Sequence, residues 1–88
     1  MGRTLDDELW AAIADPTRRR VLDLLLERGE TTATVLAGEL PVTRPCVAKH
    51  LAVLGRAGLI QGHRRGREML FAVRTEQLDE AVASMSRA

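Results

Sequence analysis

Two prolines and a threonine within the five residues Pro41-Val42-Thr43-Arg44-Pro45 constrain this chain more than any other feature. A proline pushes the residue before it out of the helical region, so a helix carrying Leu36, Ala37 and Leu40 must end at Pro41. Thr43 is a good helix N-cap, and Pro45 falls in a first turn, where a missing N–H costs nothing, so another helix starts at once. Val47, Leu51 and Leu54 then recur at i, i+4 and i+7 and give that helix an apolar face. Its outward side is slim and cationic: Arg44, Pro45, Ala48 and Lys49. Two short helices joined by so tight a turn read as a helix-turn-helix, the second helix being shaped for a groove of duplex DNA.

The flanking segments have equally plain punctuation. Leu5, Leu9, Trp10 and Ile13 are spaced for an amphipathic helix over about residues 4–14, with Asp6, Asp7 and Glu8 favouring its N-terminal end. Asp15 as N-cap and Pro16 behind it open a second helix, which runs through Val21, Leu22, Leu25 and Leu26 and stops at Gly29. Arg18, Arg19 and Arg20 cannot all share its buried face, so at least two reach solvent. Thr32 is the expected N-cap of the third helix, and the fourth continues to about Arg56-Ala57, before Gly58. Beyond Gly58 the period changes. Residues 59–64 and 67–73 flank Arg65-Gly66 as a two-stranded hairpin, with Met69, Phe71 and Val73 alternating on one face. Glu76 to Met85 form a last amphipathic helix, with Leu78, Val82 and Met85 on one side. The expected fold is α+β, mostly α: a winged helix-turn-helix of four helices, a two-stranded β-hairpin wing and a C-terminal helix. A single domain should occupy residues 1–88, with the helix-turn-helix at about 32–57 and the wing at about 59–73.

Charge supports a polyanionic partner. The net charge is only +1, but the basic residues are not spread evenly. Residues 43–67 carry Arg44, Lys49, Arg56, Arg64, Arg65 and Arg67 and no acid, while acids outnumber bases on both sides. A nearly neutral chain has thus gathered its positive excess into one segment, as a nucleic-acid surface requires. Eighty-eight residues with 45% apolar content suffice for one small core. No apolar run is long enough to cross a bilayer, and residues 1–7 do not read as a signal peptide. One cysteine cannot form an internal disulfide. A cytoplasmic, nucleoid-associated location follows as an expectation.

Arg44 and Lys49 are the expected base readers, since either can donate to the acceptors of guanine, each good bidentate contact discriminating by about 1–3 kcal/mol. Arg64, Arg65 and Arg67 at the hairpin tip should attract phosphates, which positions without specifying. A phosphate hydrogen bond is the expected role of His50, and His63 reads as a surface strand residue. Cys46 lies in the first turn of the fourth helix, where a thiol pKa tends to fall, so a redox-responsive regulator is an alternative. Use of the winged helix for protein contact alone is another, but it leaves the basic segment unexplained. Cys46 and His50 stand one turn apart, yet a nucleophile pair also needs an orienting group and a pocket, so no catalytic residue is nominated. The first and last helices carry more apolar face than one small core uses. Leu5, Leu9, Trp10, Ile13, Leu78, Val82 and Met85 are therefore expected to form an isologous dimer interface, over about residues 4–14 and 75–86.

Taken in order, Ala14-Asp15-Pro16-Thr17-Arg18, Val47 to Leu54, Ala57-Gly58-Leu59-Ile60 and Arg65-Gly66-Arg67 resemble the ArsR-type (arsenical-resistance repressor) family of bacterial winged helix-turn-helix regulators. The similarity spans roughly residues 8–75. It implies a homodimer, built from the first and last helices, that binds a two-fold symmetric operator in double-stranded DNA and usually represses. It places Thr43, Arg44, Pro45, Ala48 and Lys49 at the major groove, His50 near the backbone, and Arg64, Arg65 and Arg67 on the wing. Metal-sensing relatives use a Cys-x-Cys pair at the start of the motif's first helix, or Asp and His on the last helix. Here Thr31 to Leu36 hold no such ligand, and the last helix offers Asp79 and Glu80 without a histidine. Soft-metal and zinc sites need three or four converging ligands, so neither a metal nor another cofactor is expected.

Overall fold

The computed structural model describes residues 5–76, together with Asp79 and Ala83. The elements run α1 (Leu5–Ala14), α2 (Pro16–Arg28), β1 (Glu30–Thr31), α3 (Ala33–Glu39), α4 (Arg44–Arg56), β2 (Ile60–Arg65) and β3 (Glu68–Val73). Helices α2, α3 and α4 each begin where a capping side chain stands ready. Asp15 accepts from the amides of Thr17 and Arg18, Thr32 from that of Val35, and Thr43 from that of Cys46, so amides without a helical partner are satisfied at these three starts. Leu40, ahead of Pro41, is extended at φ −117° and ψ 148°, which ends α3 where the proline requires.

Helix α4 closes with a Schellman arrangement. The Leu59 amide donates to the Leu54 carbonyl at 3.0 Å and the Gly58 amide to the Gly55 carbonyl at 3.0 Å, with Gly58 at φ 80°. The chain reverses there and enters β2 directly, which fixes the wing's base to the end of α4. The Arg74 amide donates to the Leu59 carbonyl at 2.8 Å and ties off the hairpin's other leg.

The hairpin is one part of a three-stranded antiparallel sheet of order β1-β3-β2, with Thr31 opposite Phe71 and Glu30 opposite Ala72. The expected two-stranded wing therefore gains a third strand. Two residues are too short to show a period in the sequence, and Glu30-Thr31 becomes a strand only because β3 passes beside it. The hairpin register pairs Ile60 with Val73 and Arg65 with Glu68, leaving Gly66-Arg67 as the turn. Gly66 takes φ 63° at the first turn position while Arg67 stays at negative φ, the pattern of a type II′ turn that matches the strands' twist.

Val21, Leu25, Leu36, Val47, Leu54 and Leu59 are fully buried and join the helices to the base of the sheet. Phe71 and Val73 pack against this core as their alternation required, whereas Met69 on the same face lies beyond it and is exposed. Leu26, placed on the apolar face of α2 by its spacing, is also exposed. One expected dimer residue, Leu9, needs correction, and a second, Ile13, is partly covered. Leu9 is 4% exposed within its own chain, and Ile13 packs against the same core, because α1 lies on α2 and α4. Trp10 keeps 47% of its surface open. The Leu5 side chain and Leu78, Val82 and Met85 fall outside the described residues, as does most of the expected C-terminal helix.

Candidate nucleic-acid interface

Helix α4 is held by its inner face and presented by its outer one. Val47, Leu51 and Leu54 are buried, while Thr43, Arg44, Pro45, Ala48 and Lys49 are all exposed. Thr43 is committed to its cap, its Oγ1 accepting from the Cys46 amide at 3.3 Å. The outward surface thus starts with two cations around a proline and an alanine, small enough for a close approach to a groove floor. His50 lies at the edge of this surface and is half-buried, with its Nε2 3.7 Å from Cys46 Sγ.

His50 also faces the start of α2. The Asp15 carboxyl is held below the ordinary carboxylate range, first by the Arg18 amide, against a desolvation penalty, then by the Thr17 amide and the charges of Arg18 and His50. Arg18 itself turns back to α1: its Nε donates to the Ala12 carbonyl at 2.7 Å and its Nη2 to the Ala11 carbonyl at 3.2 Å. Arg19 and Arg20 are exposed, so one arginine of the triplet is structural and two face solvent.

The wing arginines divide in the same way, by pleat. Arg65 and His63 share a face with Glu30 of β1, whose Oε1 lies 3.6 Å from Arg65 Nη2 and whose Oε2 lies 3.4 Å from His63 Nε2. Arg64 points to the opposite face, opposite Met69. Arg56, the remaining cation of the basic segment, lines a separate hollow of about 430 Å³ with Glu8 and Arg18 at the far end of α4. Among the described residues no carboxylate lies within ion-pairing distance of Arg44, Lys49, Arg64 or Arg67. Of the six cations of the basic segment only Arg65 has such a partner among the described residues, and Arg44, Lys49, Arg64 and Arg67 are the unpaired ones on the start of α4 and the wing. Sequence reasoning passed over Glu30, because its effect on the wing depends on a cross-strand neighbour more than thirty residues away.

A helix-turn-helix domain family matches residues 13–63, more than half of the chain. The transcriptional repressor SdpR of Bacillus subtilis is 34% identical over 76 residues, covering 86% of this chain and 83% of that protein. A solved ArsR-like transcriptional regulator from Rhodococcus sp. RHA1 superposes with a TM-score of 0.86 at 32% identity, over 94% of this chain and 77% of that one. A second solved ArsR family regulator, RHA00566, gives a TM-score of 0.85 at 32% identity, over 96% of this chain and 91% of that one. The chain belongs to the ArsR family of helix-turn-helix transcriptional regulators.

In this ArsR-family chain, no three His, Cys, Asp or Glu side chains among the described residues are grouped so as to hold a metal ion. Cys46 and His50 stand together on α4, and His63 lies on the wing beside Glu30. Among the described residues no helix is long and apolar enough to cross a membrane.

Proposed function

We propose that this ArsR-family regulator represses transcription as a homodimer on a two-fold symmetric operator, within the cytoplasm and without enzymatic activity. One observation carries the reading. The exposed N-terminal side of α4 and the wing present Arg44, Lys49, Arg64 and Arg67 with no carboxylate in ion-pairing distance among the described residues, on a domain whose net charge is only +1. A surface of uncompensated arginine and lysine around a slim helix suits phosphates and base edges. A module that binds other proteins alone leaves this basic surface unexplained. Thr43, Arg44, Pro45, Ala48 and Lys49 are assigned to the major groove side, and His50 with Arg64, Arg65 and Arg67 to the backbone.

Repression is the reading favoured by similarity to the Bacillus subtilis repressor. Homodimerisation is supported by Trp10, a large aromatic left 47% open on α1, the helix that begins the chain's apolar surface. Two copies related by a dyad would present their α4 helices to half-sites about 10 bp apart.

The test is a titration of the purified protein against duplexes selected from a random pool and against scrambled controls, at several salt concentrations. The expected result is a selected sequence with dyad symmetry, bound by two copies, whose affinity falls steeply with salt. Absence of binding to any duplex at low ionic strength would overturn the reading, as would a monomer at micromolar concentration in light scattering.

A further inference from the structure

A groove of about 490 Å³ runs between the helix-turn-helix and the wing, with walls from the start of α3, the start of α4 and the outer half of the hairpin. Arg44 lines it from α4, and Arg67 lines it from the wing turn. Thr34, Val35 and Met69 complete the part that matters here, with Glu68 beside Arg67. Its guanidinium groups come from separate elements, and among the described residues neither has a carboxylate within ion-pairing distance or a backbone carbonyl to hold it, unlike Arg18 in the hollow beside Arg56. Moreover, the described residues leave four large apolar side chains exposed, and two of them, Val35 and Met69, line this groove.

We infer that Arg44 and Arg67 together seat one DNA backbone phosphate in this groove, with Val35 and Met69 against the adjoining deoxyribose. The inference rests on the DNA-binding reading above and gives Arg44 a role other than base recognition. Helix geometry allows such a division. Each residue advances an α-helix by about 100°, so Arg44 and Lys49, five positions apart, diverge by about 140°. A base edge cannot be read by both when one guanidinium faces the wing. A sugar–phosphate link has the matching chemistry: an anion that accepts forked N–H donors, next to C–H surface that covers exposed aliphatic carbon. Glu68 is the opposing charge on this seat and tempers its affinity.

The experiment uses the full chain with an operator recovered by selection, a scrambled duplex, and operators carrying a neutral methylphosphonate at one backbone position at a time. Arg44→Ala and Arg67→Ala should each weaken operator and scrambled duplex by the same factor, leaving sequence preference intact. Because both would serve a single phosphate, the double variant should lose less than the product of the two losses. Its salt slope should fall by about 0.9 per half-site, the value for one phosphate rather than two. One methylphosphonate position per half-site should erase the difference between wild type and either variant. Glu68→Gln should tighten both duplexes. The inference fails if Arg44→Ala changes the preferred base at any position, or if different methylphosphonates silence Arg44 and Arg67. Failure of the underlying reading looks different: the wild-type chain itself would then show no salt-dependent duplex binding.

Discussion

Replacing Arg18 with alanine should destabilise the fold without touching the DNA surface. Helix α1 has no basic residue in its last turn, and only Asp15 separates it from α2, so its terminal carbonyls have neither a cation nor a glycine cap of their own. Arg18 reaches back from the first turn of α2 to supply both donors, at 2.7 Å to Ala12 and 3.2 Å to Ala11. Hydrogen bonds from a charged donor contribute about 1.5–3 kcal/mol when well sheltered, and less at the surface. The Ala12 bond is partly buried and the Ala11 bond is exposed. A total of about 2 kcal/mol is therefore expected, taking the low end for the first and about 0.5 kcal/mol for the second. For a domain of this size that corresponds to a Tm lower by roughly 8–16 °C. Urea unfolding followed by circular dichroism would measure it, with the exposed neighbour Arg19→Ala as control. Arg18→Lys keeps the charge but not the fork, and should recover less than half of the loss. An Arg18→Ala variant within about 0.5 kcal/mol of Arg19→Ala, the ordinary range for surface changes, would refute the clamp.

Three further outcomes follow from the same geometry. Thr43→Ala removes the acceptor for the Cys46 amide and should cost about 0.5–2 kcal/mol of stability; it should also weaken operator binding, since the frayed turn carries Arg44, and parallel urea and anisotropy titrations would read both effects. Arg65→Ala should reduce duplex affinity less than Arg64→Ala, because Arg65 is already engaged by Glu30, and Glu30→Gln should enlarge the Arg65→Ala effect; equal losses for Arg64→Ala and Arg65→Ala in a salt titration would contradict this. Asp15 has a depressed carboxyl pKa in the fold, so its contribution to stability is present above the unfolded carboxylate value, about 3.9, and fades as pH drops through the folded one. The stability difference between wild type and Asp15→Asn should therefore be widest near neutrality and narrow on acidification in pH-resolved urea melts; a gap that stays constant down to pH 2 would argue against a charged cap.

Local rules settled a large share of this protein. Asp15-Pro16, Thr32, Pro41, Thr43, Gly58 and Gly66 each act through the backbone of their immediate neighbours, so helix starts, helix stops and the hairpin turn are written in residues a few positions apart. The exposure of Arg44, Ala48 and Lys49 follows equally from the i, i+4, i+7 spacing of Val47, Leu51 and Leu54. Side-chain partners reached through space were not legible in this way. Nothing near Glu30 in the chain announces that β3 will run beside it and bring Arg65 and His63 within reach of its carboxylate. Nor does periodicity separate Leu9, absorbed into its own chain's core, from Trp10, left open one residue later. The arginines show the division most clearly. Composition counts six cations between residues 43 and 67 as equals, but a charge counts for less toward a polyanion where a carboxylate has already met it. Which arginines remain unmet depends on how sheet, helix and turn are packed together.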